Sequence, residues 1–347
     1  MWQPAPVGAH QADCWRLPQG WAELHDGQGG ATPFMHPGWA EPWWRHYGDG
    51  AKPFIIEVEG GIAALVLRRR KGQRVLEPWG IGPGDYWDVL APPGRRDAVA
   101  RAAAGVLASR AREWDAALLR CLPPDSPVQR AWAKEVVVGL QRSIPSPTIE
   151  LPDTFDAYLG TLPKARRQNI RRHLRRLDSG EVTLREVTDP LELRLAFDRW
   201  QLFRRDQWST AGKAISAEHL SDRFKAFLLD VARQLVPAGH ALVWELSHRD
   251  SPVGVYVNFV DAESFHWYLG GFDPRVARLG LGKIAIVHGI RTSIQTGRRR
   301  YDFGRGAEEY KYWYGARDRM LGAFVAGSRR PRSRFVVAAA RMMASRR

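Results

Sequence analysis

At 347 residues the chain is too long for one small core and long enough for two domains of ordinary size. Its 44% hydrophobic and 26% charged residues are ordinary for a globular protein, so disorder is not indicated, and no apolar run is long enough to span a bilayer. The net charge of +15 is local: Lys164, Arg166, Arg167, Arg171, Arg172, Arg175 and Arg176 give +7 with no intervening acid, and Arg319, Arg329, Arg330, Arg332, Arg334, Arg341, Arg346 and Arg347 give the other +8 after the last acid, Asp318. Two such segments favour a polyanionic ligand such as a phosphorylated cofactor, a tRNA or an anionic membrane face.

The start, Met1-Trp2-Gln3-Pro4-Ala5-Pro6, lacks a basic segment followed by a hydrophobic one, so a cytoplasmic location is expected. Cys14 and Cys121 cannot make a disulfide framework and read as small buried apolar groups. Residues 39–47 form an aromatic-rich helix. Strands at 54–58 and 62–67 meet at a Gly60-Gly61 hairpin turn, and 74–79 continues the sheet. Helical spacing over 95–112 puts Val99, Ala103, Val106 and Leu107 on one side, and a strand returns over 114–121. A helix then runs through Trp132, with a strand over 135–141. Ser143-Ile-Pro-Ser-Pro-Thr148 has the composition of a linker.

The second half repeats the logic. A basic helix over 164–177 carries an apolar stripe at Ile170, Leu174 and Leu177 that should dock it and leave its arginines outward. A strand at 182–187, helices at 191–205 and 219–235, and strands at 241–247, 252–260 and 264–269 follow. A helix at 281–295, a strand at 300–303 and a last strand at 321–326 complete the chain. The expected fold class is α+β: two duplicated units, each a mixed sheet flanked by helices. The expected divisions are an N-terminal extension 1–32, a first domain 33–145, a second domain 146–327 and a basic tail 328–347. The tail from Phe335 has the pattern of an amphipathic helix for peripheral membrane contact, or of a docked helix. Trp39, Trp43, Trp44, Trp79 and Trp87 read as core.

Two motifs carry chemistry. The run Gly270-Gly-Phe-Asp-Pro-Arg-Val-Ala-Arg-Leu-Gly-Leu-Gly282 lies between a strand and the 281–295 helix. A helix start preceded by glycines is an anion site, because its first N–H groups lack intrahelical partners and its dipole favours phosphate. The second motif is Arg300-Tyr-Asp-Phe-Gly-Arg-Gly-Ala-Glu-Glu-Tyr-Lys-Tyr-Trp-Tyr-Gly315, in which Gly304 and Gly306 flank Arg305 and Lys311 sits among Tyr310, Tyr312, Trp313 and Tyr314. Its Asp-Phe-x-x-Gly-x-Glu-x-Tyr-Lys spacing resembles the C-terminal signature of the cellulose-biosynthesis-type acetyltransferases, which belong to the GCN5-related N-acetyltransferase (GNAT) superfamily. Tyr310-Lys311…Gly315 is similar to the Phe-Lys…Gly element of the Fem-type aminoacyltransferases, which use aminoacyl-tRNA.

The resemblance covers roughly residues 33 to 327 and implies tandem GNAT-like domains. It implies that Arg278, Gly280, Leu281, Gly282 and Lys283 hold the phosphates of acyl-CoA, a co-substrate that is not tightly bound. The family's Arg or Gln place in that loop is taken here by Ala277, with Arg278 next to it. Arg166, Arg167, Arg305 and Lys311 are expected to anchor anionic groups. Asp302 is the first candidate for general base and Glu308 the second. His266 and Tyr268 share one face of a strand and are expected to face the cleft, whereas His288 reads as structural.

The implied function is direct acyl transfer from acyl-CoA to an amine or hydroxyl of a small-molecule, peptide or saccharide acceptor. One alternative is transfer from aminoacyl-tRNA; another is a non-catalytic module binding an anionic polymer or membrane surface. No His or Cys cluster has the local spacing of metal ligands, so no metal is expected.

Overall fold

The computed structural model describes residues 17–211, 217–328, 330, 331, 333, 337 and 338. The first half comprises helices α1 (Trp21–Gly27) and α2 (Pro37–Tyr47), strands β1 (Ala51–Val58), β2 (Gly61–Arg70) and β3 (Gln73–Pro78), then α3 (Arg96–Ser109), β4 (Ala116–Leu122), α4 (Val128–Glu135) and β5 (Val137–Glu150). The second half begins with α5 (Phe155–Gly160), α6 (Lys164–Asp178), β6 (Thr183–Glu186), α7 (Pro190–Ala211) and α8 (Asp222–Leu235). It continues with β7 (Ala241–His248), β8 (Ser251–Val260), β9 (Ser264–Phe272), α9 (Leu281–Gln295), β10 (Arg300–Asp302), α10 (Glu309–Trp313) and β11 (Arg317–Gly327). Two-residue turns close the β1–β2, β2–β3 and β7–β8 hairpins with both residues at positive φ; Gly60 and Gly72 ease two of them, while Arg249-Asp250 makes the third without glycine. The β1–β2 turn is therefore Glu59-Gly60, one residue earlier than expected.

One eleven-stranded sheet runs through both halves in the order β1-β2-β3-β4-β11-β5-β10-β9-β8-β7-β6. Each half repeats an antiparallel meander, a crossover helix and then a parallel strand: β3 with β4, and β9 with β10. The last strand of each half is exchanged. β11 pairs with β4 of the first half, β5 pairs with β10 of the second, and β5 and β11 pair with each other at the centre.

The expected linker at 143–148 is corrected by this arrangement. These residues lie inside β5, and the expected division at 145/146 falls within one strand that serves both halves. Prolines fit there because the ladder asks only for their carbonyls: Pro147 O accepts from Phe303 N–H and Pro145 O from Gly306 N–H, both at 3.0 Å. The same pairing fixes the loop after β10.

Alternate residues of β7–β9 are buried on opposite faces. Val243, Val255, Val257 and Phe259 join one core with α2, α7, α8 and the first half. Trp244, Tyr256, Phe265 and Trp267 join another with α6 and α9. Trp39, Trp43, Trp79 and Trp87 are buried as expected, and Trp44 is half-buried. Their indoles also shape the first half: Trp39 donates to Gly80 O, Trp43 to Ile81 O and Trp87 to Ala64 O. Trp87 N–H bonds Cys121 O and Leu90 N–H bonds Ile62 O. Residues 79–90 thus fill the gap where β3 and β4 part, and the first half keeps no open notch there.

The expected extension 1–32 includes α1, whose Trp21 indole donates to Met35 O at 2.8 Å. The expected tail helix falls mostly outside the described residues, but Val337 is buried, with Gly139 and Gly327 at its side chain. Among the described residues no helix is long and apolar enough to cross a membrane.

Candidate functional site

The notch that the first half fills is bordered in the second half by the start of α9, by α6 and by α10. β9 and β10 pair only from Arg300↔Ser264 to Asp302↔His266. Just beyond, β9 bulges at Tyr268: Val257 faces Leu269 but Asn258 faces Trp267. The helix start is built as the sequence implies. Gly280 takes a left-handed φ of 71° and no side chain caps α9, whose first turn holds no acid. A cavity of about 450 Å³ opens beside it, lined by Arg166, Asn169, Lys283, Glu309, Tyr310, Tyr312, Trp313 and Tyr314.

Two buried polar groups point at this helix start without a partner. His173 of α6 is 6% exposed, neither ring nitrogen has a hydrogen bond, and its Cε1 lies 2.8 Å from where a Cβ on Gly280 would stand. Burial, with Lys283, Arg172 and Arg176 nearby, pulls its pKa down to about 4, so the ring is neutral at pH 7. The Tyr256 hydroxyl is likewise unpartnered and lies 3.7 Å from a Cβ built on Gly282.

Of the residues expected to hold phosphates, Gly280, Leu281, Gly282 and Lys283 are together at the helix start, with Lys283 exposed and Leu281 buried as a core residue. Arg278 is exposed on the turn before it, and its carbonyl accepts from Arg176. Arg166 donates to Trp313 O at 3.0 Å and lines the cavity; Arg167 donates to Leu162 O at 2.8 Å.

The signature loop departs from expectation. The two glycines admit protein groups rather than open space: a Cβ on Gly304 would stand 2.5 Å from Asp85 Oδ2, and one on Gly306 would stand 2.6 Å from Glu308 Oε2. Arg305 is ion-paired with Asp85 and donates to Gly82 O, so it ties the halves together instead of facing an anion. Lys311 is 3% exposed, and its ammonium donates to the carbonyls of Gly304 (3.2 Å), Arg305 (2.8 Å) and Gly306 (3.0 Å) while pairing with Glu308 at 2.8 Å. Its donors are spent on the loop, a placement at odds with a free anion anchor. Glu308 remains exposed.

Asp302 and His266 do meet, in a buried chain that the sequence could not assemble. His266 Nε2 lies 2.7 Å from Asp261 Oδ2, and its Nδ1 lies 3.5 Å from Asp302 Oδ2. Asp302 also accepts from Tyr86 OH, from Ser146 Oγ at 3.1 Å and from Gly304 N–H at 2.8 Å. Burial works against a charged imidazole, yet the two carboxylates outweigh it and push the His266 pKa up to about 9. Burial alone would raise Asp302, but the His266 charge and the Tyr86 and Gly304 hydrogen bonds hold it below the ordinary carboxylate value.

A saturated carboxylate of lowered pKa is a poor proton acceptor, so Asp302 positions the loop through Gly304 N–H rather than acting as a free base. Tyr268 packs among Phe34, Trp39 and Phe259 and donates to Pro83 O, so its hydroxyl is not turned to an open cleft. His288 sits against Trp244, as a structural residue does. A second cavity, of about 360 Å³, lies between the halves and is lined by Thr32, Tyr86, Asp125, Asp261, Glu263, His266, Arg300, Asp302 and Arg319 among others.

Sequence reasoning missed Tyr86, Ser146, Asp261, Asn169, His173 and Tyr256. Asp261 had a local signal, since Asp-Ala-Glu-Ser between two strands is a turn and its Oδ1 caps Glu263 and Ser264 N–H. Tyr86 and Ser146 reach Asp302 from the 79–90 segment and the exchanged β5, and Asn169, His173 and Tyr256 meet only where α6 and β8 pack against the start of α9.

Residues 164–312 match the family described as acetyltransferase (GNAT) domain. No curated protein sequence matches this one. Among solved structures the fold is similar to that of FemX (TM-score 0.67, 10% identity, 93% of this chain and 99% of that one). It is also similar to the C-terminal DUF2156 domain of an Agrobacterium fabrum protein assigned as a lysylphosphatidylglycerol synthetase (0.56, 10%, 94% and 94%) and to L-PGS from Bacillus licheniformis (0.53, 11%, 88% and 96%). At these identities the likeness is one of fold.

Proposed function

We propose that this chain, a GNAT-type acyltransferase on the Fem-like two-half fold, moves an acyl group directly from a coenzyme A thioester at the start of α9 to an amine. The observation that carries this reading is the uncapped helix start, with Lys283, Arg166 and Asn169 around a cavity and the unpartnered His173 and Tyr256 aimed at it. Helix N–H groups and the dipole suit a pyrophosphate. The thioester arm then lies along β9 toward the point where β9 and β10 part, and backbone donors at the Tyr268 bulge hold the developing oxyanion.

The acceptor enters through the cavity between the halves, where Asp125, Asp261, Glu263 and Asp302 outnumber Arg300, Arg319 and the His266 imidazolium. That balance favours a cationic amine over an alcohol. The ammonium first gives one proton to water, which frees the lone pair for attack; the nitrogen–carbonyl bond then forms as the carbon–sulfur bond breaks, and Glu308 takes the second nitrogen proton and hands it to the leaving thiolate, which departs as thiol. The test is thiol release from acetyl-CoA on adding a panel of amines. Glu308→Gln should cut kcat by about a hundredfold, the usual worth of a general base, without lowering thermal stability. No amine-dependent thiol release from any panel member counts against the reading.

A second reading, transfer from aminoacyl-tRNA, is favoured by one observation. Lys164, Arg171, Arg172 and Arg175 of α6, with Arg278 and Lys283, are exposed and have no acidic partner among the described residues. Such a face would track several phosphates, and affinity would then fall steeply with log salt. Absence of tRNA retardation at low salt removes it. The third expectation, a non-catalytic module, does not fit an acyltransferase.

A further inference from the structure

A second cluster, outside the acyl-transfer site, gathers His25 and Asp26 of α1, His36 before α2 and His240 before β7, with their ligand atoms all within 4.8 Å of one another. The local-spacing rule finds no metal set because His240 lies more than two hundred residues away in the chain.

The tautomers define the site. His25 Nε2 lies 3.0 Å from Thr32 O and its Nδ1 lies 2.9 Å from Asp26 Oδ1. A neutral ring has one N–H, so it can satisfy only one of these two acceptors. The other contact leaves a lone pair against an oxygen. His240 Nδ1 is 3.3 Å from Val260 O, so its N–H goes to a backbone carbonyl and its Nε2 lone pair faces Asp26 Oδ1 at 3.6 Å. With the His25 proton on Nε2 toward Thr32 O, two imidazole lone pairs and a carboxylate oxygen converge.

We propose that His25 Nδ1, His240 Nε2 and Asp26 bind one divalent transition-metal ion of the zinc class, with water in the fourth position. Zinc bonds of about 2.0–2.1 Å in a tetrahedron place ligand atoms roughly 3.3 Å apart, and the observed 2.9 and 3.6 Å bracket that spacing. The Thr32 and Val260 carbonyls supply the outer contacts that hold each ring in the ligating tautomer. His36 is not a ligand: its Nδ1 accepts from Gly38 N–H at 2.8 Å as the cap of α2, which puts the ring's proton on Nε2. Asp26 and the edge of His240 are open enough for the ion to enter. The ion would staple α1 of the first half to the β7 end of the second, and no step of acyl transfer uses it.

The test uses tag-free full-length protein, stripped with chelator and titrated with Zn²⁺ by calorimetry and with Co²⁺ by visible absorption. One equivalent should bind, with Co²⁺ giving the intense bands of a four-coordinate site, and excess Zn²⁺ should raise Tm by at least about 3 °C. Asp26→Asn and His240→Gln, both at the surface end of the cluster, should lose at least tenfold in affinity while keeping the metal-free Tm. His36→Asn, which can still cap α2, should bind as tightly as the parent. Absence of saturable binding, or unchanged affinity in Asp26→Asn and His240→Gln, overturns the proposal.

Discussion

Lys311→Met separates the structural account of the signature motif from the one its sequence implies. The substitution keeps the aliphatic stem and removes an ammonium that is 3% exposed and bonded to three consecutive carbonyls. Those carbonyls belong to the loop in which Gly304 and Gly306 hold positive φ, so little else in the loop replaces the contacts. Removing a buried charged partner costs about 3–5 kcal/mol when the groups it served are left unpaired. Glu308 is 58% exposed at its side chain and rehydrates, so it adds little. Against a net stability of about 5–15 kcal/mol the protein still folds, and Tm should fall by roughly 4–7 °C. Lys311→Arg should recover only part of this, because three carbonyls converge on one compact charge and a planar fork cannot meet all three. Calorimetric melts of the three proteins, with acetyl-CoA kinetics on each, decide the matter. An unchanged Tm with a Michaelis constant raised more than tenfold would refute the structural reasoning and restore Lys311 as an anion anchor.

The His266 pair makes a pH prediction with a definite sign. Its pKa rises on folding from 6.5 to about 9, so its stabilisation is complete below about pH 6.5 and is lost as pH rises through 9; denaturant titrations across that window should show the loss, and His266→Gln should flatten it. Asp261 and Asp302 are both lowered, so their contributions hold above the ordinary carboxylate value and vanish as pH falls below it. Gly304→Ala should destabilise by about 1–3 kcal/mol in urea titrations, because a Cβ there meets Asp85 Oδ2 at 2.5 Å on a backbone with φ of 67°. A neutral result would mean that the contact with the first half is not made in solution.

Most of the fold was legible because its elements obey short-range periodicity. The α9 helix was expected at 281–295 and stands there, since a glycine start and an apolar repeat mark it at both ends. β5 was cut short because Ser143-Ile-Pro-Ser-Pro-Thr148 reads as a linker, and only the position of its partners shows that the missing proline N–H groups are not needed. The glycine-led start of α9, which is proposed as the donor end, was legible for the same reason. The chemistry around Asp302 was not: the residue types were noticed, but the roles of Lys311, Arg305 and Tyr268 depend on which groups the first half brings against them. Asp85, Tyr86 and Ser146 reach the second half through the 79–90 segment and the exchanged β5 strand, and no spacing in the sequence encodes that meeting.

The central claim is that the start of α9 holds a coenzyme A thioester, and calorimetric titration of acetyl-CoA into the parent protein and Gly282→Val measures it most directly. The variant should keep its fold, since a Cβ there meets only the Tyr256 hydroxyl at an ordinary 3.7 Å. Saturable binding in the parent with at least a tenfold loss in Gly282→Val, at unchanged Tm, is the predicted result. No heat from the parent at high micromolar ligand, or equal affinity in both proteins, would contradict it.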